Sequence, residues 1–157
     1  MRISQVKRME AINKLIIKIG DIDRGFFNSK NGRAEFIELR TTVRFKDAYT
    51  QRIISIRDEG YVKGFNNGGT LLTLVRNFKH YIITGKTKGN SSLYSTHWGY
   101  SIEGMNEIIE FAKELGYIDK SNPTYKEYLI KLYNEDSCLL SDWLKEEIEN
   151  TLLNKEI

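Results

Sequence analysis

Two stretches of the chain hold residues that could do chemistry. The first is Gly64-Phe65-Asn66-Asn67-Gly68-Gly69-Thr70, followed by an expected helix from Leu71 to Thr84. A glycine-rich turn that enters a helix presents unpaired N–H groups able to hold an anion. The same residues also make a simple tight turn with Thr70 as the helix cap. A Walker-type loop needs Gly-Lys-Ser/Thr, and Gly68-Gly69-Thr70 lacks the lysine. A dinucleotide fingerprint needs Gly-x-Gly-x-x-Gly between a strand and a helix of a βαβ unit, and neither spacing nor context matches. The second stretch is Ser95-Thr96-His97-Trp98-Gly99-Tyr100, where a histidine adjoins two hydroxyls and two aromatic rings. Sequence adjacency does not make a catalytic triad, which is a spatial arrangement. The cluster reads as a binding hot spot or as a plug that packs its loop onto the core.

Other reactive groups are sparse. Cys138 is the only cysteine, in an acidic setting near Asp136 that gives no reason to expect a reactive thiol. His80 and His97 are the only histidines, so no Cys/His set for a structural zinc exists. Asp21 and Asp23 precede the sheet and Asp58-Glu59 close a strand; two such carboxylates with Glu35 could bind Mg²⁺, but turn chemistry explains them equally well. The expectation is a non-enzymatic protein with no catalytic residue, no metal site and no cofactor.

Charge is more informative. The 157 residues carry a net charge of +3, but residues 1–89 hold 18 Lys and Arg against 8 Asp and Glu, and the remainder holds 6 against 13. A basic front and an acidic back suggest two faces with different partners. In the basic part, Arg33, Arg40, Arg44, Lys46, Arg52 and Lys63 fall in or beside expected strands, with Tyr49, Tyr61 and Phe65 nearby in sequence and Asn66 and Asn67 in the glycine stretch. Cations interleaved with rings suit nucleic acid, the cations for phosphate and the rings for bases. Exposed strands also carry Lys and Arg merely to discourage edge pairing. In the acidic part, Glu146, Glu147 and Glu149, together with His97, Trp98 and Tyr100, are the candidate contacts to a protein partner.

The elements that must position these residues give an α+β fold. Residues 4–19 read as an amphipathic helix ended by Gly20. Residues 25–57 read as an antiparallel sheet of three to four strands, with Asn31-Gly32 as a hairpin turn, Val43 and Phe45 inward, and Arg44, Lys46 and Arg52 outward. The central helix carries Leu71, Leu74, Val75, Phe78 and Ile82 on one face and stops at Gly85. Residues 86–100 form a long loop of the kind that is often functional. Ser101 caps a helix to Leu115 that stops at Gly116, Thr124 and Glu127 form a capping box, and Ser141-Asp142 opens a last helix with Trp143, Leu144, Ile148 and Leu152 inward. Residues 1–120 are expected to form the core domain, with 121–157 as an acidic helical extension packed on it. No apolar run approaches the roughly 20 residues that cross a bilayer, and the first residues lack a signal-peptide core.

One ordered set of motifs goes further. Phe26-Phe27-x-Ser29, Phe45-x-Asp47-x-Tyr49-Thr50, Gly64-Phe65-x-x-Gly68-Gly69-Thr70-Leu71-x-x-Leu74-Val75, Tyr81-Ile82-x-x-Gly85 and Trp98-Gly99-Tyr100 follow one another over residues 7–118. In this the chain resembles a family of small uncharacterised proteins encoded by bacteriophages and prophages. The family has no assigned catalytic residues to carry over, and the part after Asn122 lies outside the pattern. The resemblance implies a phage accessory protein made in the host cytoplasm. The leading expectation is binding of DNA, RNA or a nucleoprotein complex through the basic half. The alternative is an inhibitor of a host defence nuclease, of the anti-CRISPR kind, that binds protein through its acidic helices. A third reading is a small metal-dependent nuclease or nucleotide-modifying enzyme.

Overall fold

The computed structural model describes residues 1–22, 26–65, 69–89 and 92–153. The fold is α+β. The helices are α1 (Ile3–Asp21), α2 (Gly69–Thr84), α3 (Ile102–Glu114), α4 (Tyr125–Glu135) and α5 (Asp142–Ile148). A 3₁₀ turn at Ser137–Leu139 precedes α5, and a π-helical segment at Glu149–Leu153 continues it. The strands β1 (Asn28–Ser29) and β2 (Gly32–Arg33) form a small hairpin, and β3 (Glu35–Leu39), β4 (Thr42–Lys46) and β5 (Ile53–Ile54) form a three-stranded antiparallel sheet in that order.

Helix α1 is the hub. Its stripe Ile12, Leu15, Ile16 and Ile19 is fully buried and packs against α2, α3 and β3. Each such side chain contributes about 2 kcal/mol relative to exposure. The helix runs through Gly20 to Asp21, one residue past the expected stop. Polar side chains fix it as well. The Arg8 guanidinium donates to the carbonyls of Ile82 and Ile83 at the end of α2. Asn13 donates to the Phe36 carbonyl and accepts from the Phe36 N–H, at 2.9 and 2.7 Å. One side-chain amide thus supplies the edge of β3 with what a neighbouring strand would supply.

The sheet alternates cleanly. Phe36, Phe45 and Ile54 stand in one inward row and are buried, whereas Glu35, Lys46 and Ile53 stand opposite one another in an outward row. The sequence places two turns differently from the structure. In the first hairpin Ser29 pairs with Gly32, so the central turn residues are Lys30 and Asn31, not Asn31 and Gly32. Between β3 and β4, Leu39 pairs with Thr42 around a two-residue loop whose members Arg40 and Thr41 have φ of 50° and 66°. A loop with both central residues at positive φ normally takes Asn-Gly, and a β-branched Thr is poorly suited to it. Replacing Arg40-Thr41 by Asn-Gly is therefore expected to stabilise the fold by about 1 kcal/mol and raise Tm by about 2–4 °C in a thermal scan.

The helical half follows its caps. Ser101, Thr124 and Ser141 each accept from the backbone N–H three residues on, and Glu127 completes the Thr124 box. Gly85 and Gly116 terminate α2 and α3 at φ of 79° and 81°. Thr70, expected as a cap, lies inside the first turn of α2, which begins at Gly69. In α5 Leu144 and Ile148 face the core, but Trp143, expected to join them, is 54% exposed. The loop before α3 is anchored: Leu93, Tyr94, Trp98 and Tyr100 are buried, and the Tyr100 hydroxyl donates to the Ile19 carbonyl at 2.8 Å. Burial and the nearby Glu110, Glu127 and Tyr128 push the Tyr94 phenol up to about 12, so it stays neutral and donates to the Pro123 carbonyl.

Candidate nucleic-acid interface

The basic residues of the first half divide by what they do. Several serve the fold. Arg33 pairs with Asp21 at 2.9 Å, and Lys46 pairs with Glu35 across the β3–β4 register at 3.0 Å. Arg76 donates to the carbonyls of Arg57, at 2.7 Å, and Gly60. Lys79 reaches the Ile56 carbonyl at 2.6 Å. After β5 the chain leaves the sheet, and these two cations of α2 satisfy carbonyls that would otherwise need a strand partner.

A second group lines two adjoining clefts on the outer side. One, of about 380 Å³, runs between the start of α1, the β3–β4 turn and the end of α2, and includes Gln5, Thr42, Arg44, Ser55 and Lys79. The other, of about 350 Å³, is lined by Ile53, Ile54, Ser55, Arg57, Tyr61 and Lys63. Ser55 belongs to both, so the clefts meet there. No carboxylate lines either among the described residues; Asp58 and Glu59 occupy the exposed turn just beyond Arg57. Tyr61 is 78% exposed and Ile53 is 48% exposed, an unusual amount of ring and aliphatic surface for a cationic cleft.

Of the expected nucleic-acid contacts, Arg44 and Lys63 therefore stand in the clefts, and Arg40 is exposed in the turn beside cleft residue Thr41. Arg33 and Lys46 are held in ion pairs. Arg52 does not share the face of Lys46: Ile53 pairs with Lys46, and Arg52 stands one residue earlier, at the opposite parity. Asn66 and Asn67 lie outside the described residues. Sequence reading missed Arg57 and Lys79 as cleft residues. The signal for Arg57 was the Asp-Glu-Gly turn after it, which ends the strand and frees the side chain; nothing marked Lys79.

The second stretch of interest forms a separate cleft of about 330 Å³ lined by Thr73, Ser92, Ser95, Thr96, His97 and Tyr128, among others. It brings the exposed His97 to the first turns of α2, a juxtaposition the sequence left open. The hydroxyls are occupied in local structure: Ser95 Oγ accepts from the His97 N–H at 3.1 Å, and Ser92 Oγ accepts from Asn77 at 2.8 Å. Trp98 and Tyr100, at 3% and 4% exposure, pack with Phe26 instead of facing solvent. Glu146 and Glu149 are exposed on the last helix and Glu147 is half-buried. Glu149 accepts from the Tyr133 hydroxyl at 2.8 Å, and that hydrogen bond raises the Tyr133 pKa. Among the described residues no three His, Cys, Asp or Glu side chains gather as a metal site, and no helix is long and apolar enough to cross a membrane.

A family model named YoqU matches residues 2–138. A protein of Bacillus subtilis (strain 168), described as "SPbeta prophage-derived uncharacterized protein YoqU", is 37% identical over 124 residues, which covers 77% of this chain and 90% of that protein. No solved structure matches the chain significantly. The matched region contains the sheet, both basic clefts and the His97 loop, and stops before α5.

Proposed function

The chain belongs to the YoqU family of prophage-derived proteins, and on that premise we propose that it binds nucleic acid, without turnover, through the paired basic clefts beside β5. The observation that carries this reading is the composition of those clefts: Arg44, Arg57 and Lys63 with an exposed tyrosine and no lining carboxylate among the described residues, Lys79 being held by the Ile56 carbonyl. Cations that a fold needs for itself are paired internally, as Arg33 and Lys46 are. Those without an ion pair among the described residues, over a concave surface, attract an anionic polymer, and rings beside them add stacking. Most acidic residues lie in the second half of the chain, and those nearest the clefts, Asp58 and Glu59 beyond Arg57 and Glu38 bonded to the Met1 ammonium, do not line them.

The test is an anisotropy titration of a labelled mixed-sequence oligonucleotide at several salt concentrations. Each phosphate neutralised on a single strand contributes about −0.7 to the slope of log affinity against log salt. Three cleft cations are expected to give a slope of about −2. No binding at low salt overturns the proposal.

A further inference from the structure

Resting on that reading, we infer that the ligand is a single strand and that Tyr61 is the platform on which one of its bases stacks. A duplex keeps its bases stacked inside and offers a shallow protein cleft only phosphate and sugar. A ring exposed at 78%, with an exposed isoleucine in the same cleft, gains nothing from such a partner. A single strand presents both chemistries together. Its phosphates meet Arg57 and Lys63, and an unstacked base meets the ring and the aliphatic wall of Ile53. The size agrees: at about 350 Å³ the Tyr61 cleft falls within the range of about 300–1,000 Å³ that holds small ligands, enough for a nucleotide's base. The adjoining cleft at Arg44 continues the cationic surface past Ser55, where the strand's next phosphate would lie. Stacking does not discriminate among bases, since each has a π-face, so the expected binding is tolerant of sequence. The shared chemistry is a single-stranded phosphodiester chain, and deoxyribose and ribose versions are separated by the probes.

The experiment compares labelled oligo-dT, oligo-U and a mixed-sequence duplex at low salt, with the full chain and with Tyr61→Ala, Tyr61→Phe and Tyr61→Trp. The single strands are expected to bind at least about 10-fold more tightly than the duplex. Tyr61→Ala is expected to weaken single-strand binding about 5- to 150-fold, the span of measured base-stacking losses, while Phe and Trp preserve it. Duplex binding should not respond to the alanine change. Tyr61 is exposed, so a thermal scan is expected to show the three variants folded as the parent is. Equal affinity for duplex and single strand, or a change under 2-fold in Tyr61→Ala, overturns the inference and leaves the basic-face proposal standing. Absence of binding to all three probes overturns both.

Discussion

Replacing Arg44, Arg57 and Lys63 together by glutamate is expected to lower affinity for a mixed-sequence oligonucleotide by about 100-fold or more. An exposed ion pair is worth up to about 1 kcal/mol, and reversing the charge turns that gain into a comparable repulsion. Three sites then amount to about 3–5 kcal/mol, with each 1.4 kcal/mol a factor of ten. The triple variant should fold. The Arg57 group that holds the turn is its carbonyl, which accepts from Arg76 and is untouched by a side-chain change. Among the described residues Arg44 makes only an exposed hydrogen bond from Nε to Thr42 Oγ1, and Lys63 is exposed. The matching control reverses Arg33 and Lys46, whose charges are already met by Asp21 and Glu35. That pair of changes should cost stability more than binding. An unchanged affinity in the triple variant, read by the same titration, would remove the clefts from consideration.

The largest stability effect outside the apolar core is expected at Asp47. The residue is 2% exposed, and Oδ2 accepts from the Tyr49 N–H at 3.0 Å, the Thr50 N–H at 2.9 Å and the Thr50 hydroxyl at 3.0 Å. This knot shapes the connection from β4 to β5. The same connection also ties the small hairpin to the sheet, since Ser29 Oγ donates to the Ala48 carbonyl and Asn31 to the Tyr49 carbonyl, both at 2.7 Å. Hydrogen bonds to a charged acceptor contribute about 1.5–3 kcal/mol each and do not add fully. Asp47→Ala should therefore lose about 3 kcal/mol, or about 6–12 °C in Tm. In urea the midpoint should fall with the slope unchanged. Asp47→Asn keeps the shape with weaker acceptors and should lose less. A loss below about 1 kcal/mol for the alanine variant would show that the loop is held by its neighbours instead.

Much of this molecule was legible in its sequence because local rules decided it. The helices after Ser101 and Thr124 begin where a hydroxyl can cap three residues on, and α2 and α3 stop where a glycine can turn left-handed. The alternation in Thr42–Lys46 fixed which face of β4 is buried. What was not legible depends on tertiary placement. Asn31-Gly32 signals a turn, but the register set by Ser29 and Gly32 moves its centre by one residue. Arg40-Thr41 carries no turn signal, yet the pairing of Leu39 with Thr42 forces both residues into positive φ. The division of the cations was hidden for the same reason: Lys46 is neutralised only because the register sets it opposite Glu35, and Arg76 is spent only because α2 passes over the 57–60 turn. Leu144 and Ile148 are i,i+4 neighbours on one face, whereas Trp143 is i,i+1 to the first and i,i+5 to the second, so helical spacing sets it off that face and its apolar type alone suggested burial.

The Asn13 side chain that closes the edge of β3 has a kinetic consequence. The Phe36 amide hydrogen is bonded to a helix side chain, not to a neighbouring strand. Its exchange with solvent is gated by the Asn13 hydrogen bond at the α1–β3 contact, even if every strand stays paired. The exchange rate at that amide therefore reports on the local opening of the α1–β3 contact, while amides bonded between strands report on the sheet.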